Sequence, residues 1–124
     1  MTQWTRDELA KVGSADELEI AVQRPDGTLR NPVTIWVAPY DDDVYVRSVK
    51  GRSAAWFRAA QKTHAGRILA GGVEKDISLV EPTGDIADEL DAAYRAKYRR
   101  YARSIVNSTL SPAARSATFK LMPS

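Results

Sequence analysis

Residues 45–60 read YVRSVKGRSAAWFRAA, an apolar strand pattern that runs through Arg47, Ser48, Lys50, Gly51 and Arg52 into a helix-forming run carrying Trp56. The first backbone N–H groups of a helix have no intrahelical partner and sit at the positive end of its dipole. With Lys50 and Arg52 just before such a terminus and Gly51 allowing close approach of the backbone, the junction has the chemistry of a phosphate seat. The same residues also describe an ordinary solvated turn, because exposure is the default for Lys and Arg. Trp56 has two readings as well, the wall of a ring pocket or a core aromatic.

The remaining chemistry-bearing residues give weaker patterns. Tyr94, Tyr98 and Tyr101 alternate with Arg95, Lys97, Arg99, Arg100 and Arg103, a composition that could stack bases and neutralise phosphates. The tyrosines share one helix stripe, however, which favours an amphipathic helix packed through Tyr over a nucleic-acid platform. His64 is the only histidine and lies in a polar stretch; Asp41, Asp42 and Asp43 lack the spacing of a calcium loop. No hydrolytic triad, phosphate loop of the Gly-Lys-Thr type or spaced carboxylate pair is present.

Charge is unevenly placed. Between Tyr45 and Lys75 there are seven basic residues against one acid, and after Asp91 seven more with no acid, although the net charge is only +2. An anionic partner is thus indicated, with a phosphorylated cofactor, a nucleic acid and an acidic part of the same fold all open. A length of 124 residues fits one domain. The absence of cysteine excludes disulfides and thiolate sites and agrees with a reducing cytoplasm. No apolar run reaches membrane-spanning length, and MTQWTRDELAKVG lacks the basic start and apolar middle of a secretory leader.

Elements to position the junction can be read in order. Thr5 and Glu8 form a capping box for a helix over 5–12, stopped by Gly13. Leu18, Ile20 and Val22 alternate with polar residues as a half-buried strand, and Arg24-Pro25-Asp26-Gly27 turns it back into a second strand over 29–38. A turn at 39–43 leads to a strand through Val49. Ser53 is the expected N-cap of a helix to Lys62, ended by the loop around Gly66. Strands 67–70 and 73–80 flank Gly71-Gly72, a hairpin signal. Asp85 is expected to cap a helix over 86–101, striped by Ile86, Leu90, Tyr94, Tyr98 and Tyr101 and supported by an Asp91–Arg95 pair. A strand over 118–122 closes the series. About six short strands with three helices predict a mainly β protein, a small antiparallel barrel with peripheral α-helices, in a single domain over 1–124.

The stretches RNPVTIWVAPYDDDVYVRSVKGRSAAWFRAA and GRILAGGVEKDISLV resemble the core of the split-barrel flavin-binding proteins, in particular the deazaflavin-dependent nitroreductase branch. That branch has an Arg, a nearby Pro and an apolar strand, then a strand ending in Ser-Lys-Gly-Gly, a helix opening near a Trp, and a Gly-centred hairpin. Arg30, Pro32, Ser48, Lys50, Gly51 and Trp56 match it. DAAYRAKY and TFKLMP are similar to a subfamily of short bacterial proteins classed as a domain of unknown function. Two positions depart from the pattern: its second glycine is Arg52, and the Asn-Leu after the Trp is Arg58-Ala59.

This resemblance implies a six-stranded split barrel holding FMN or a deazaflavin, with hydride passed to a small organic acceptor. It places Arg47, Ser48, Lys50, Gly51 and Arg52 at the phosphate or tail, Trp56 at the ring, with Trp36 helping to shape the ring pocket, and Arg30 at a second basic contact. Arg52 would either narrow the cofactor's approach or add a contact. The alternative from another class is a non-enzymatic cofactor-binding or interaction module on the same barrel, paired as a homodimer through the sheet or the tyrosine helix. Nucleic acid and membrane are not expected partners.

Overall fold

The computed structural model describes residues 4–82 and 85–123. The first three residues of the segment read above for a leader lie outside them. The capping box forms as expected: Thr5 accepts from the Glu8 N–H at 3.1 Å, Glu8 accepts from the Thr5 N–H at 3.0 Å, and α1 spans Arg6–Ser14. The alternating segment is β1 (Leu18–Val22), with Leu18, Ile20 and Val22 buried. After the Arg24–Gly27 turn, β2 (Val33–Ile35) pairs back on it antiparallel.

The strand expected over 29–38 is in fact divided. Leu29 makes only an isolated bridge to Gln23, and the extended chain from 33 to 40 breaks at Trp36 into β2 and β3 (Val37–Tyr40). The Trp36 indole stacks on Tyr98, centroids 3.8 Å apart and planes within 4°. The backbone of Val37 is held by side chains: its N–H donates to Tyr98 Oη at 3.2 Å, and its carbonyl accepts from Lys97 Nζ at 2.6 Å. Among the described residues the barrel therefore has seven strands rather than six.

That break supplies both edges of the sheet. Its order is β2-β1-β5-β6-β7-β4-β3, antiparallel throughout, so the two halves of one extended segment form its opposite edges. The remaining strands are β4 (Asp43–Arg47), β5 (Ala65–Ala70), β6 (Val73–Val80) and β7 (Thr118–Pro123). Gly66 lies inside β5, opposite Val22 and Ile77, and does not end a helix in a loop. Gly71 and Gly72 make the β5–β6 hairpin at φ of 56° and 82°. A Cβ at Gly71 would collide with the Lys11 carbonyl of α1.

Inside the barrel, Ile20, Val37, Val46, Ile68, Leu79, Phe119 and Leu121 pack with Trp56 and Phe57 of α2 (Ala55–Thr63). The α2 helix ends at His64, which adopts a left-handed φ of 54° and whose Nδ1 lies 3.0 Å from the Leu79 carbonyl. A second, smaller core outside the barrel joins Ala38 to Tyr94, Tyr98 and Val106. The tyrosine stripe thus packs inward, as the amphipathic reading expects.

Helix boundaries differ more. The helix expected over 86–101 is α3 (Ala87–Lys97), preceded by Ile86 with no side-chain cap, so Asp85 does not cap it. Two short helices follow, α4 (Arg103–Ser108) and α5 (Pro112–Ser116), the latter capped by Ser111 Oγ accepting from the Ala114 N–H at 3.1 Å. Among the described residues there are five α-helices, not three. No described helix is long and apolar enough to cross a membrane.

Candidate functional site

At the end of β4 the chain makes a 3-10 turn over Gly51–Ser53 before α2 begins. Gly51 adopts φ +80°, and a Cβ there would stand 3.2 Å from the Ala113 Cβ, so its missing side chain serves a close approach to α5. The turn uses up Ser53, whose Oγ donates to the Lys50 carbonyl at 3.4 Å. Ser53 is therefore not the cap of α2. Ala54 stands there, offering no side-chain bond, and the first turn carries no acid. The positive end of α2 is left uncapped, which is the condition for an anion to approach it.

Beside this terminus is a cleft of about 440 Å³, within the usual size of small-molecule sites. Trp36 and Trp56 form part of its walls with Val33 and Ile35; Arg47, Ser48, Val49 and Lys50 come from β4 and the turn. Ile105, Ser108 and Thr109 of α4 and its C-terminal end complete it. Its lining is mostly apolar and contains no carboxylate or imidazole. Ser48 is 1% exposed, and its Oγ has no hydrogen-bond partner. A buried hydroxyl without a partner carries a desolvation cost that a ligand atom would relieve.

Arg47 lines the cleft but is committed elsewhere. Its Nη1 donates to Asp91 Oδ1 at 2.6 Å and to the Thr109 carbonyl at 2.9 Å, and its Nη2 donates to the Ala87 carbonyl at 3.2 Å. Only Nε lacks a partner. Asp91 faces inward to Arg47 and to Arg115, 3.4 Å away, so the expected Asp91–Arg95 pair does not form. The Arg47 guanidinium also lies 5.4 Å from the centroid of the Tyr94 ring. Burial pushes the Tyr94 hydroxyl well above its ordinary range.

Five of the residues singled out in the sequence meet in this cleft: Trp36, Arg47, Ser48, Lys50 and Trp56. Arg52 turns away from it. Its Nη1 donates to Glu81 at 2.8 Å and to the Ser116 carbonyl at 2.6 Å, with its guanidinium 5.2 Å from the Phe57 ring centroid. That hydrogen bond holds the Glu81 carboxyl below its usual range. Arg52 thus neither narrows the cleft nor lines it. Arg30 lines two adjoining depressions rather than the cleft itself. The α4 wall was missed in the sequence, where 103–109 shows no apolar stripe; Ser111-Pro112, a cap followed by proline, was the available signal for α5.

Comparison with known proteins agrees with this architecture. No curated protein is significantly similar in sequence. Among solved structures, conserved hypothetical protein Rv2991 from Mycobacterium tuberculosis is 13% identical at a TM-score of 0.57, over 99% of this chain and 81% of that one. HutZ, the heme storage protein from Vibrio cholerae, is 14% identical at 0.60, over 96% and 89%. A structure named F420 Reductase is 13% identical at 0.51, over 93% and 90%. At such identities the likeness shows the split-barrel fold alone. Residues 8–121 match the family described as "Uncharacterized protein conserved in bacteria (DUF2255)", and the chain belongs to that family.

Proposed function

We propose that this DUF2255 protein binds FMN or a deazaflavin in the Trp36–Trp56 cleft and acts in the cytoplasm as an oxidoreductase on a small organic acceptor. The observation that carries the reading is Ser48 Oγ, buried and without a partner, in a cleft beside an uncapped helix N-terminus. An aromatic ring fits between apolar walls, and a phosphate suits free N–H groups with Lys50 beside them. When bound, a reduced flavin or deazaflavin would supply the hydride. The chain's own residues then have simple duties. Trp36 and Trp56 exclude water and orient the ring, Ser48 offers a hydroxyl, and Lys50 balances charge. Arg47, neutralised by Asp91, would offer only its Nε–H.

The lining also speaks to haem, given the name of one structural neighbour. It includes none of the His, Cys, Met or Tyr side chains that usually hold haem iron. His64 lies outside it, bonded to Leu79. The residues present do not fit that group.

Titration of the purified protein with FMN, riboflavin and a deazaflavin tests the reading, together with mass spectrometry of any small molecule it releases. Micromolar or tighter binding of FMN or the deazaflavin is expected; failure with both ends the proposal. One observation favours the second reading, a non-enzymatic binding module: the cleft offers no carboxylate or imidazole for proton transfer. Bound cofactor with no turnover across nitro, quinone and enone acceptors would establish it.

A further inference from the structure

Tyr98 does not line the Trp36–Trp56 cleft, yet it holds the tryptophan that interrupts the strand beside it. Trp36 is half-buried between β2 and β3, where the extended run from 33 to 40 leaves the ladder. Its indole rests on the Tyr98 ring at 3.8 Å with planes within 4°, and the Tyr101 ring lies 5.0 Å away, tilted by 49°. Tyr98 itself is fully buried. A buried ring stacked this closely fixes the plane of its neighbour, so Trp36 offers the cleft what Tyr98 leaves uncovered.

The backbone next to Trp36 is held from the same helix. β3 is an edge of the sheet, with a strand on one side only. The Val37 N–H donates to Tyr98 Oη at 3.2 Å. A phenol has one proton, which Tyr98 can place on the Asp16 carbonyl at 2.9 Å or on the Val37 carbonyl at 3.2 Å. The shorter bond takes it to Asp16, in the α1–β1 connection, and leaves the Val37 carbonyl to Lys97 Nζ at 2.6 Å. Two adjacent residues thus divide the work, Tyr98 taking the ring and the N–H, Lys97 the C=O. Among the described residues Lys97 makes no salt bridge, and the Asp16 carboxylate is engaged by Arg100. Partly burying an ammonium without a counter-charge is costly. Here that charge is spent on the one peptide group that follows Trp36.

We propose that Tyr98, with Lys97, is a positioning residue of the cleft: by stacking on Trp36 and clamping the Val37 peptide, it holds the indole ready for a flat ring. A side chain that the ligand must first order lowers affinity, whereas one already fixed does not. Without the stack, a half-buried tryptophan at a strand end is free to sample other staggered rotamers. This inference rests on the cofactor reading above for the ring, but the state of Trp36 can be measured without it.

Riboflavin, a ring without phosphate, is the probe. It is titrated into the whole protein and into Tyr98→Leu, Trp36→Ala and the double variant, with folding checked by circular dichroism. Tyr98→Leu should weaken binding roughly two- to tenfold, the cost of ordering one large side chain. In the Trp36→Ala background the same substitution should have no further effect, because the two residues act as one. Tyr98→Phe, which keeps the ring and loses only the hydroxyl, should restore most of the affinity. Where Tyr98→Leu does not fold, Lys97→Met takes its place in the cycle with the same expectation. Fluorine NMR of protein labelled with fluorotryptophan reads Trp36 directly. Its resonance, assigned through Trp36→Phe, should move or broaden in Tyr98→Leu and in Lys97→Met while those of Trp4 and Trp56 hold. Equal weakening with and without Trp36, or a Trp36 resonance unmoved in both variants, would overturn the proposal. If neither riboflavin, FMN nor a deazaflavin binds the wild type while the resonance still moves, the cofactor reading fails and the positioning of Trp36 stands.

Discussion

Arg47 Nη1 and Asp91 Oδ1 lie 2.6 Å apart with side-chain exposures of 0% and 11%, joining the end of β4 to the middle of α3. The same guanidinium reaches the Thr109 carbonyl, so one cation ties together three segments that meet behind the cleft. Arg47 is thus a buried cation neutralised by Asp91 rather than a solvated turn residue.

Removing one partner of this pair should be costly, because the other charge stays buried. Asp91→Ala is expected to lose roughly 3–5 kcal/mol in urea denaturation. Arg47→Met combined with Asp91→Leu should recover most of that loss. A single-variant cost below about 1 kcal/mol would show that the pair is solvated in the folded protein.

Ser48→Ala separates stability from binding. Because Ser48 Oγ has no partner, its removal should leave stability within about 0.5 kcal/mol of wild type or raise it slightly. Flavin or deazaflavin affinity should fall about tenfold through the lost ligand hydrogen bond. Equal affinity in calorimetric titration would remove Ser48 from the site.

Arg52 is expected to matter little to the ligand. Its pair with Glu81 is about half exposed on both sides, so Arg52→Ala should cost about 1 kcal/mol or less. Cofactor affinity should stay within about twofold of wild type, since Arg52 does not line the cleft. A larger affinity loss would mean that Arg52 swings round to meet the phosphate.

Lys97 predicts a pH dependence. Burial lowers its ammonium to about 8, against an ordinary lysine value of 10.5, although it donates to Val37. Between those values the unfolded chain binds more protons, so the burial penalty is fully present below pH 8 and is relieved as pH rises. The stability of wild type minus Lys97→Met should therefore increase between pH 8 and 10, read by urea denaturation at each pH. Above pH 10 an opposite slope joins it in both proteins, because Tyr98 is pushed up to about 12 by burial and Tyr94 is also raised. A difference that stays flat from pH 7 to 10 would contradict the burial of Lys97.

The sequence alone determined the local features: the α1 capping box, the alternation of β1, the Gly71-Gly72 hairpin and the tyrosine stripe, each set by residues within a turn or two of one another. It also located the β4–α2 junction and a barrel of short antiparallel strands. Tertiary structure decided what depends on partners distant in the chain. Trp36 leaves the barrel because Tyr98, 62 positions on, offers it a ring to stack on, and that departure divides one strand into the two edges of the sheet. Asp91 abandons Arg95 for Arg47 because a buried cation needs its counter-charge more than an exposed one does. Arg52 turns to Glu81, and Arg24 and Arg30 come to face Arg58 and Lys62, only once the barrel has brought those segments together. Spacing along the chain reports a residue's own helix or strand, whereas the choice of charge partner and the walls of a cleft depend on contacts between elements far apart in sequence.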